Sequence, residues 1–294
     1  MKKSPGQTIT NILFNRSKIS DEDLSTCDQR GWIPGPQEEV EPFLDRVEAL
    51  DHFFSYPPEQ IDHFLTDTDW IETRHRTEQL FDLCPDWIVA HFSNKQLSFF
   101  QGAATWIVEQ KGVRIPLIQL KEKFESGSLL KLYSLDEVLS HEVVHAARMA
   151  FDEPHFEEIL AYKTSSRWWR RFFGPLFERP WEAYLFITIL FVPFALEMAQ
   201  FFWPLEPFLI LRYLPLAFFA LLTLRLSTLQ LFLHRALKKL KPFLQAKAKP
   251  LAVALRLTDR EICTFAWASE KKLGELISKE KSLRWRLLKK KYFK

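Results

Sequence analysis

Two long apolar segments in the second half of the chain constrain its fold more than any other feature. They cover residues 181–203 and 208–233, and only the short connector Pro204-Leu-Glu-Pro207 separates them. A helix rises about 1.5 Å per residue and the hydrocarbon core of a bilayer is about 30 Å thick, so each segment is long enough to cross a membrane. We therefore predict a two-helix transmembrane hairpin over residues 181–235, with a helical hairpin buried in a soluble core as the alternative.

Charges at the ends of this hairpin predict its orientation. Basic residues flank both ends: Arg167, Arg170, Arg171 and Arg179 before it, and His234, Arg235, Lys238, Lys239 and Lys241 after it. The connector has no Lys or Arg, so the positive-inside rule places both termini of the chain in the cytoplasm. Cys27, Cys84 and Cys263 show no C-x-x-C spacing, which fits free thiols in a reducing compartment. The expected location is an inner or plasma membrane.

Charged residues fall inside the apolar segments. Glu197 and Arg212 lie at similar distances from the connector, so an antiparallel hairpin brings them to the same depth. Because an isolated charge is costly in a membrane, we predict that these two residues pair and hold the helices together. A functional pathway through the membrane is the alternative role for such a pair. Arg225 lies nearer the cytoplasmic end and is expected to extend its guanidinium toward the interface.

A metal-binding motif precedes the hairpin. Residues His141-Glu-Val-Val-His145 form an H-E-x-x-H sequence inside a predicted helix, which begins at Ser134 with Glu137 as its capping-box partner. Helical spacing puts His141 and His145 one turn apart on the same face, where two imidazoles can hold one Zn²⁺. Glu142 projects beside them and is a candidate general base for hydrolysis. A helix with two incidental surface histidines is the alternative.

The third ligand is expected from the segment that follows. A catalytic zinc usually takes three protein ligands and leaves one position for water. The third histidine of a metzincin would fall at Phe151, which excludes that class. Pro154 is suited to the first turn of a second helix. The candidates on that helix are Glu158, Glu157 and His155.

The H-E-x-x-H motif followed by Glu158-x-x-Ala161 resembles gluzincin-type zinc metallopeptidases. In that family the glutamate comes from a second helix packed antiparallel to the first. The resemblance implies Zn²⁺ as the cofactor, with His141, His145 and Glu158 as its ligands. It also implies that Glu142 is the catalytic base.

Three other residues near the motif are candidates for stabilising the oxyanion of the reaction: Tyr162, Arg148 and His155. Tyr162 stands where the gluzincin-type family often has an Asp or Asn that orients a zinc-bound histidine. For Arg148, a salt bridge with Glu153 or Glu157 is favoured over binding of a substrate carboxylate.

The sequence around the motif predicts a mainly α fold with a small sheet. Residues 37–83 follow helical periodicity, and residues 105–120 are expected to form a hairpin. Pro116 interrupts its second strand, which is therefore expected at an edge or in a bulge. An edge strand beside the metal helix would hold an extended substrate by strand addition. We predict an α+β class, with a cytoplasmic zincin-like metallopeptidase domain over residues 37–165 and a flexible leader over residues 1–36.

Two basic regions complete the chain. Residues 166–180 combine arginines with aromatic side chains, a composition typical of a membrane–water interface. Residues 236–294 predict a basic cytoplasmic helical region in which Thr258 caps one helix. The amphipathic stretch from Ser282 is expected to pack against the zinc domain with its lysines toward lipid, with binding flat on anionic lipid as the alternative. The net charge of +3 is nearly balanced and argues against a nucleic-acid partner.

These features predict a membrane-anchored, zinc-dependent metallopeptidase whose partners are membrane lipid and a peptide or protein substrate. Two alternatives remain at this point. One is a non-catalytic membrane-anchored scaffold that carries a structural metal or none. The other is a zinc hydrolase of non-peptide amides, because the same activated water serves both reactions.

Overall fold

The chain folds into helices around one small sheet, which confirms the predicted fold class. The computed structural model describes residues 19–55, 63–97, 101–110, 112–129, 133–202 and 206–294. The helices are α1 Asp21–Gln29, α2 Val40–Ser55, α3 Asp67–Phe81, α4 Leu135–Arg148, α5 Pro154–Tyr162, α6 Trp168–Phe173, α7 Pro180–Gln200, α8 Leu214–Leu240, α9 Pro250–Leu255, α10 Asp259–Trp267, α11 Glu270–Lys279 and α12 Leu283–Lys291. The strands are β1 Ala90–Phe92, β2 Ala103–Gln110, β3 Val113–Leu120, β4 Ser128–Leu129 and β5 Tyr133–Ser134.

The main sheet has the order β1-β3-β2, so β2 is the edge strand beside the metal motif. The predicted hairpin is antiparallel, with Ile107 opposite Pro116, while β1 pairs in parallel with residues 118–120 of β3. Strand β3, which carries Pro116, is therefore central at residues 118–120, and the prediction that it lies at an edge is wrong for those residues. Pro116 itself has no other described strand on its far side, so its missing N–H interrupts no hydrogen-bond ladder there.

The motif helix α4 is held by its buried side chains and not by the predicted capping box. Ser134 is the N-cap, but its side chain accepts no capping hydrogen bond. Glu137 turns away and accepts hydrogen bonds from Ser165 and from Arg170, whose Nη1 lies 2.9 Å from Glu137 Oε1. The charged partner on α6 is a stronger attraction for this carboxylate than a backbone N–H. Leu139 and Val143 are fully buried beneath the helix.

The segment expected to be a flexible leader is partly built into the core. Residues 1–18 lie outside the described part of the chain, but Ile19, Leu24 and Trp32 are buried. In α1, Asp28 forms a fully buried ion pair with Arg256, at 2.5 Å between Oδ1 and Nε. The leader prediction is therefore wrong for residues 19–36, because a contact with the far end of the chain fixes them.

The C-terminal helices belong to the same body as the motif helix. The predicted Thr258 cap is present as a capping box with Glu261. Helix α12 packs against α1 and buries Leu287 and Leu288, as expected. The expectation that its lysines face lipid is wrong for Lys291, which pairs with the buried Asp28 at 2.7 Å. The boundary predicted at residue 236 is not a boundary in packing, since one hydrophobic core joins α4, α5, α8, α9 and α10.

The two apolar segments form α7 and α8, both long and apolar enough to cross a membrane. The expected pair is present, with Arg212 Nη2 3.0 Å from Glu197 Oε1. At the other end, Arg225 does not extend away but pairs with Glu182 at 2.6 Å between Nη1 and Oε1. These two pairs set an antiparallel register. Part of the predicted connector, residues 203–205, lies outside the described residues.

The second candidate span, Ile210–Phe243, covers most of the predicted residues 208–233, and its later part also packs into the protein core. Beyond Arg225, α8 buries Leu226 and Leu233 in the same core as Phe156 and Leu160 of α5. Lys163 Nζ also donates to Gln230 Oε1 at 2.9 Å. The second half of α8 therefore supports the helix that follows the metal motif, which apolar length alone does not reveal.

Candidate metal centre

Three side chains from two packed helices converge at the motif. On α4, His141 Nε2 lies 3.2 Å from His145 Nε2. From α5, the carboxylate of Glu158 comes within 3.6 Å of His141 Nε2 and 3.5 Å of His145 Nε2. Ligands about 2.0–2.1 Å from a shared tetrahedral metal are about 3.3 Å apart, which these separations match. The group can hold a metal ion, its donor atoms all lying within 4.8 Å of one another.

The neighbouring glutamate has a different position. Glu157 Oε1 lies 2.7 Å from His145 Nδ1, the ring nitrogen that faces away from the cluster. An acceptor at that nitrogen fixes the tautomer and ring orientation of a metal-binding histidine. Glu157 is placed to orient His145 in this way. Between the two glutamates, the geometry favours Glu158 as the ligand.

The third candidate ligand does not join the cluster. His155 is exposed on α5, and its Nδ1 lies 3.4 Å from Glu178 Oε2. It is absent from the group of converging donors among the described residues. The side chain of His155 therefore faces Glu178, just before α7.

Glu142 lies beside the cluster and is held by the sheet. It is buried, and Thr105 Oγ1 of β2 donates to its Oε2 at 2.7 Å. Burial raises the pKa of Glu142, against the opposing charge of His145 and the hydrogen bond from Thr105. Thr105 was not predicted as a site residue. Its only sequence signal is its place on the strand that precedes the motif.

Tyr162 closes one side of the cluster. Its ring lies edge-to-face with the ring of His141, 4.6 Å between centroids. Burial raises the pKa of Tyr162, so its hydroxyl keeps its proton and remains a donor at neutral pH. Gly174 makes this position possible, because a Cβ there would overlap the Tyr162 ring. Sequence reasoning missed Gly174, which has no motif around it.

Arg148 stands behind the site and is fully buried. Its Nη1 donates to the backbone oxygens of Leu255 at 2.7 Å and Leu257 at 3.0 Å. Its Nε lies 3.7 Å from Glu157 Oε2. Arg148 therefore ties the C-terminal helices to the glutamate that orients His145, in agreement with the salt bridge that the sequence favoured.

The electrostatics of the cluster favour a cation. Burial and the neighbouring His145 hold the pKa of His141 well below its usual range. Burial alone would lower the pKa of His145, but the carboxylates of Glu158 and Glu157 outweigh it and raise this pKa to about 10. His141 is thus neutral, while His145 carries an additional proton between the carboxylates of Glu157 and Glu158. A bound divalent ion would displace that proton and take over its charge.

The cluster lies in a cleft of about 1350 Å³. Residues 103–105 of β2 form one wall, and Ala183, Tyr184 and Ile187 at the start of α7 contribute to another. A pocket for a drug-sized ligand is typically about 300–1,000 Å³, so this cleft has room for a longer molecule.

The chain matches no protein-family model, no curated protein and no solved structure. The interpretation of the site therefore depends on the geometry and chemistry of its own residues.

Proposed function

We propose that the chain is a membrane-anchored zinc metallopeptidase. The observation that carries this proposal is the convergence of His141, His145 and Glu158 beside the buried carboxylate of Glu142. Two imidazoles and one carboxylate are a known ligand set of catalytic zinc and leave a coordination position for the reaction. The resemblance of the motif to gluzincin-type peptidases supports the same function.

When bound, zinc would supply Lewis acidity, lowering the pKa of a water molecule to about 7 and polarising the scissile carbonyl. The protein's own residues hold the ligands in place. Glu157 orients His145, and the edge of the Tyr162 ring packs on His141. Such support is worth about 10–100-fold in metal affinity or activity in other metal sites.

Glu142 is the proposed proton carrier. Its carboxylate takes a proton from the attacking water and then gives that proton to the amine nitrogen as the C–N bond breaks. The hydrogen bond from Thr105 occupies Oε2 and leaves Oε1 for this transfer. The raised pKa of Glu142 brings the group closer to neutral pH, where a general base is most effective.

The substrate is a peptide in an extended conformation. Strand β2 is an edge strand, and Ala103, Ala104 and Thr105 line the cleft. Backbone groups on an unpaired edge can bind a peptide by strand addition. The phenol of Tyr162, protonated and facing the cleft, is the proposed donor to the oxyanion.

The proposed setting is the cytoplasmic face of an inner or plasma membrane, with α7 and α8 crossing the bilayer. The flanking arginines and lysines support this orientation. Helix α6 precedes α7 in the chain, and Trp168 at its start is 74% exposed. Aromatic and basic side chains of this kind are enriched at membrane interfaces.

Metal analysis combined with Glu142→Gln tests the proposal. Purified wild-type protein is expected to contain about one zinc per chain and to cleave peptides. Glu142→Gln should keep the zinc and lose cleavage, because the ligands are intact while the base is lost. The matched control His155→Gln should keep both.

Three results would contradict this function. Unchanged cleavage by Glu142→Gln would reject the assigned base. Absence of zinc from wild-type protein, together with no peptide cleavage, would favour an anchored scaffold. Cleavage of non-peptide amides alone would indicate a different hydrolase.

A further inference from the structure

One wall of the cleft is part of a candidate membrane span. Ala183, Tyr184 and Ile187 line the cleft, and their spacing of three and four residues puts them on one face of α7. The span predicted from length and composition covers Trp181–Gln200. The metal ligands and the start of this span therefore border the same space.

Ion pairs fix this wall to the rest of the site. Arg225 of α8 binds Glu182 at 2.6 Å through Nη1 and lies 3.3 Å from Glu178 through Nε. Glu178 itself lines the cleft. Since α8 also packs on α5, which carries Glu158, the wall and the third metal ligand belong to one packed unit.

The wall is apolar and lies at a shallow depth. At about 1.5 Å per residue, Ile187 is about 9 Å along α7 from Trp181, the first residue of the span. Tyr184 is 54% exposed and Ile187 is 41% exposed. With α7 in a bilayer, these side chains face the boundary between headgroups and acyl chains. A peptide that reaches the metal along them comes from the membrane surface.

We propose that the substrates are membrane-spanning or membrane-tethered proteins, cut in the segment that adjoins the bilayer. This inference rests on the proposed peptidase function and names its substrate class. The substrate segment enters the cleft along the apolar face of α7 and continues beside β2. The distance between the metal cluster and the membrane surface then sets which bond is cut.

The test uses the full-length protein in proteoliposomes. One probe is a randomised peptide library joined to a single model transmembrane helix through Gly-Ser linkers of several lengths. The other is the same library without the helix, offered in solution. Mass spectrometry gives the rate and the position of each cut.

The tethered library is expected to be cut about tenfold faster or more, since tethering raises the effective concentration. That gain alone does not establish the inference. The decisive result is the position of the cut. As the linker is lengthened, the cut should shift toward the linker, so that its distance from the membrane stays constant. Cut sites that follow the library sequence regardless of linker length would overturn the inference.

A pair of variants tests the α7 wall itself. Ile187→Asn should lower cleavage of the tethered library about tenfold, the usual size for one apolar contact, while zinc content stays the same. Leu185→Asn is the matched control, because Leu185 is 37% exposed, lies at similar depth and does not line the cleft. Equal effects of the two variants would reject the wall as a substrate surface.

The outcomes separate this inference from the function beneath it. If both libraries were cleaved at the same rate and Glu142→Gln abolished that cleavage, membrane-adjacent substrates would be rejected while the peptidase function would stand. Cleavage of neither library would reject the peptidase, and the substrate class with it.

Discussion

Two pairs of packed helices, α4–α5 and α7–α8, each bring ionisable side chains together, and they balance the charge differently. Beside α7, every carboxylate faces a guanidinium of the second helix or its start: Arg212 faces Glu197, and Arg225 faces Glu182 and Glu178. Between α4 and α5, two imidazoles and the carboxylate of Glu158 converge instead, and the positive charge there is a proton on His145. A guanidinium keeps its charge, whereas a proton on an imidazole can be replaced by a metal ion. The comparison separates a structural cluster from a binding site by charge balance.

The largest expected effect comes from replacing one of the proposed metal ligands on α4. His145→Gln should lose zinc, and peptide cleavage should fall by more than about a thousandfold, because both the metal and its chemistry depend on this ligand. Metal content by mass spectrometry and initial cleavage rates measure this. Glu197→Gln is the contrasting variant in α7 and should keep zinc and activity. A His145→Gln protein with full zinc content would break the comparison.

Next is the residue that orients the same histidine. Glu157→Ala should weaken zinc binding about 10–100-fold without unfolding the protein, since it frees His145 Nδ1 but leaves all three ligands. Competition with a chromophoric chelator gives the dissociation constant. Glu153→Ala, a change of the same kind near the start of α5, is the control. If Glu157→Ala abolished zinc binding while Glu158→Ala did not, the ligand assignment would be reversed.

Breaking the ion pairs of Arg225 should change stability and not metal content. Arg225→Met leaves Glu182 and Glu178 without their cation and should lower the free energy of unfolding by about 2 kcal/mol, reduced from the fully buried case by partial exposure. Thermal unfolding in detergent measures the loss. The double variant Arg225→Met with Glu182→Leu should recover part of it. Loss of zinc in Arg225→Met at temperatures where it stays folded would contradict the separation of the two clusters.

The stability of the metal-free protein is also expected to depend on pH. The pKa of His145 rises from 6.5 to about 10 on folding, so its protonation stabilises the fold fully below pH 6.5, and this contribution is lost as the pH rises toward 10. As the pH rises through this window, the melting temperature of the chelator-treated wild-type protein should therefore fall more than that of His145→Gln. Zinc-loaded protein should lack this difference because the metal replaces the proton. An identical pH profile for metal-free wild type and variant would contradict the assigned charge.

The sequence was informative where contacts are local. The pair His141 and His145 depends on one helical turn, and the hairpin of β2 and β3 depends on alternation and a turn. Pro154 marked the start of α5 because proline suits a first turn. Glu197 and Arg212 could be paired from their distances to one short connector. In each case a few neighbouring residues determine the geometry.

The remaining features depend on residues that are distant in the chain. Thr105 reaches Glu142 from the sheet, and Gly174 gives room for Tyr162; neither has a local pattern. Asp28 in α1 pairs with Arg256, which is distant in the chain. Because no local pattern indicates this contact, α1 was predicted to be part of a flexible leader. Helix α8 is apolar along its length, but its first part belongs to the candidate span alone and its second part also packs into the protein core. Only tertiary packing distinguishes these two parts.

Zinc K-edge X-ray absorption on the purified protein tests the central claim most directly. We expect about one zinc per chain, with two imidazole nitrogens and light oxygen donors about 2.0–2.2 Å away and no sulfur ligand. The same measurement on Glu158→Ala should show one oxygen donor replaced or the zinc lost. A spectrum with cysteine sulfur at about 2.3 Å, or a protein free of zinc, would contradict a metal held by His141, His145 and Glu158.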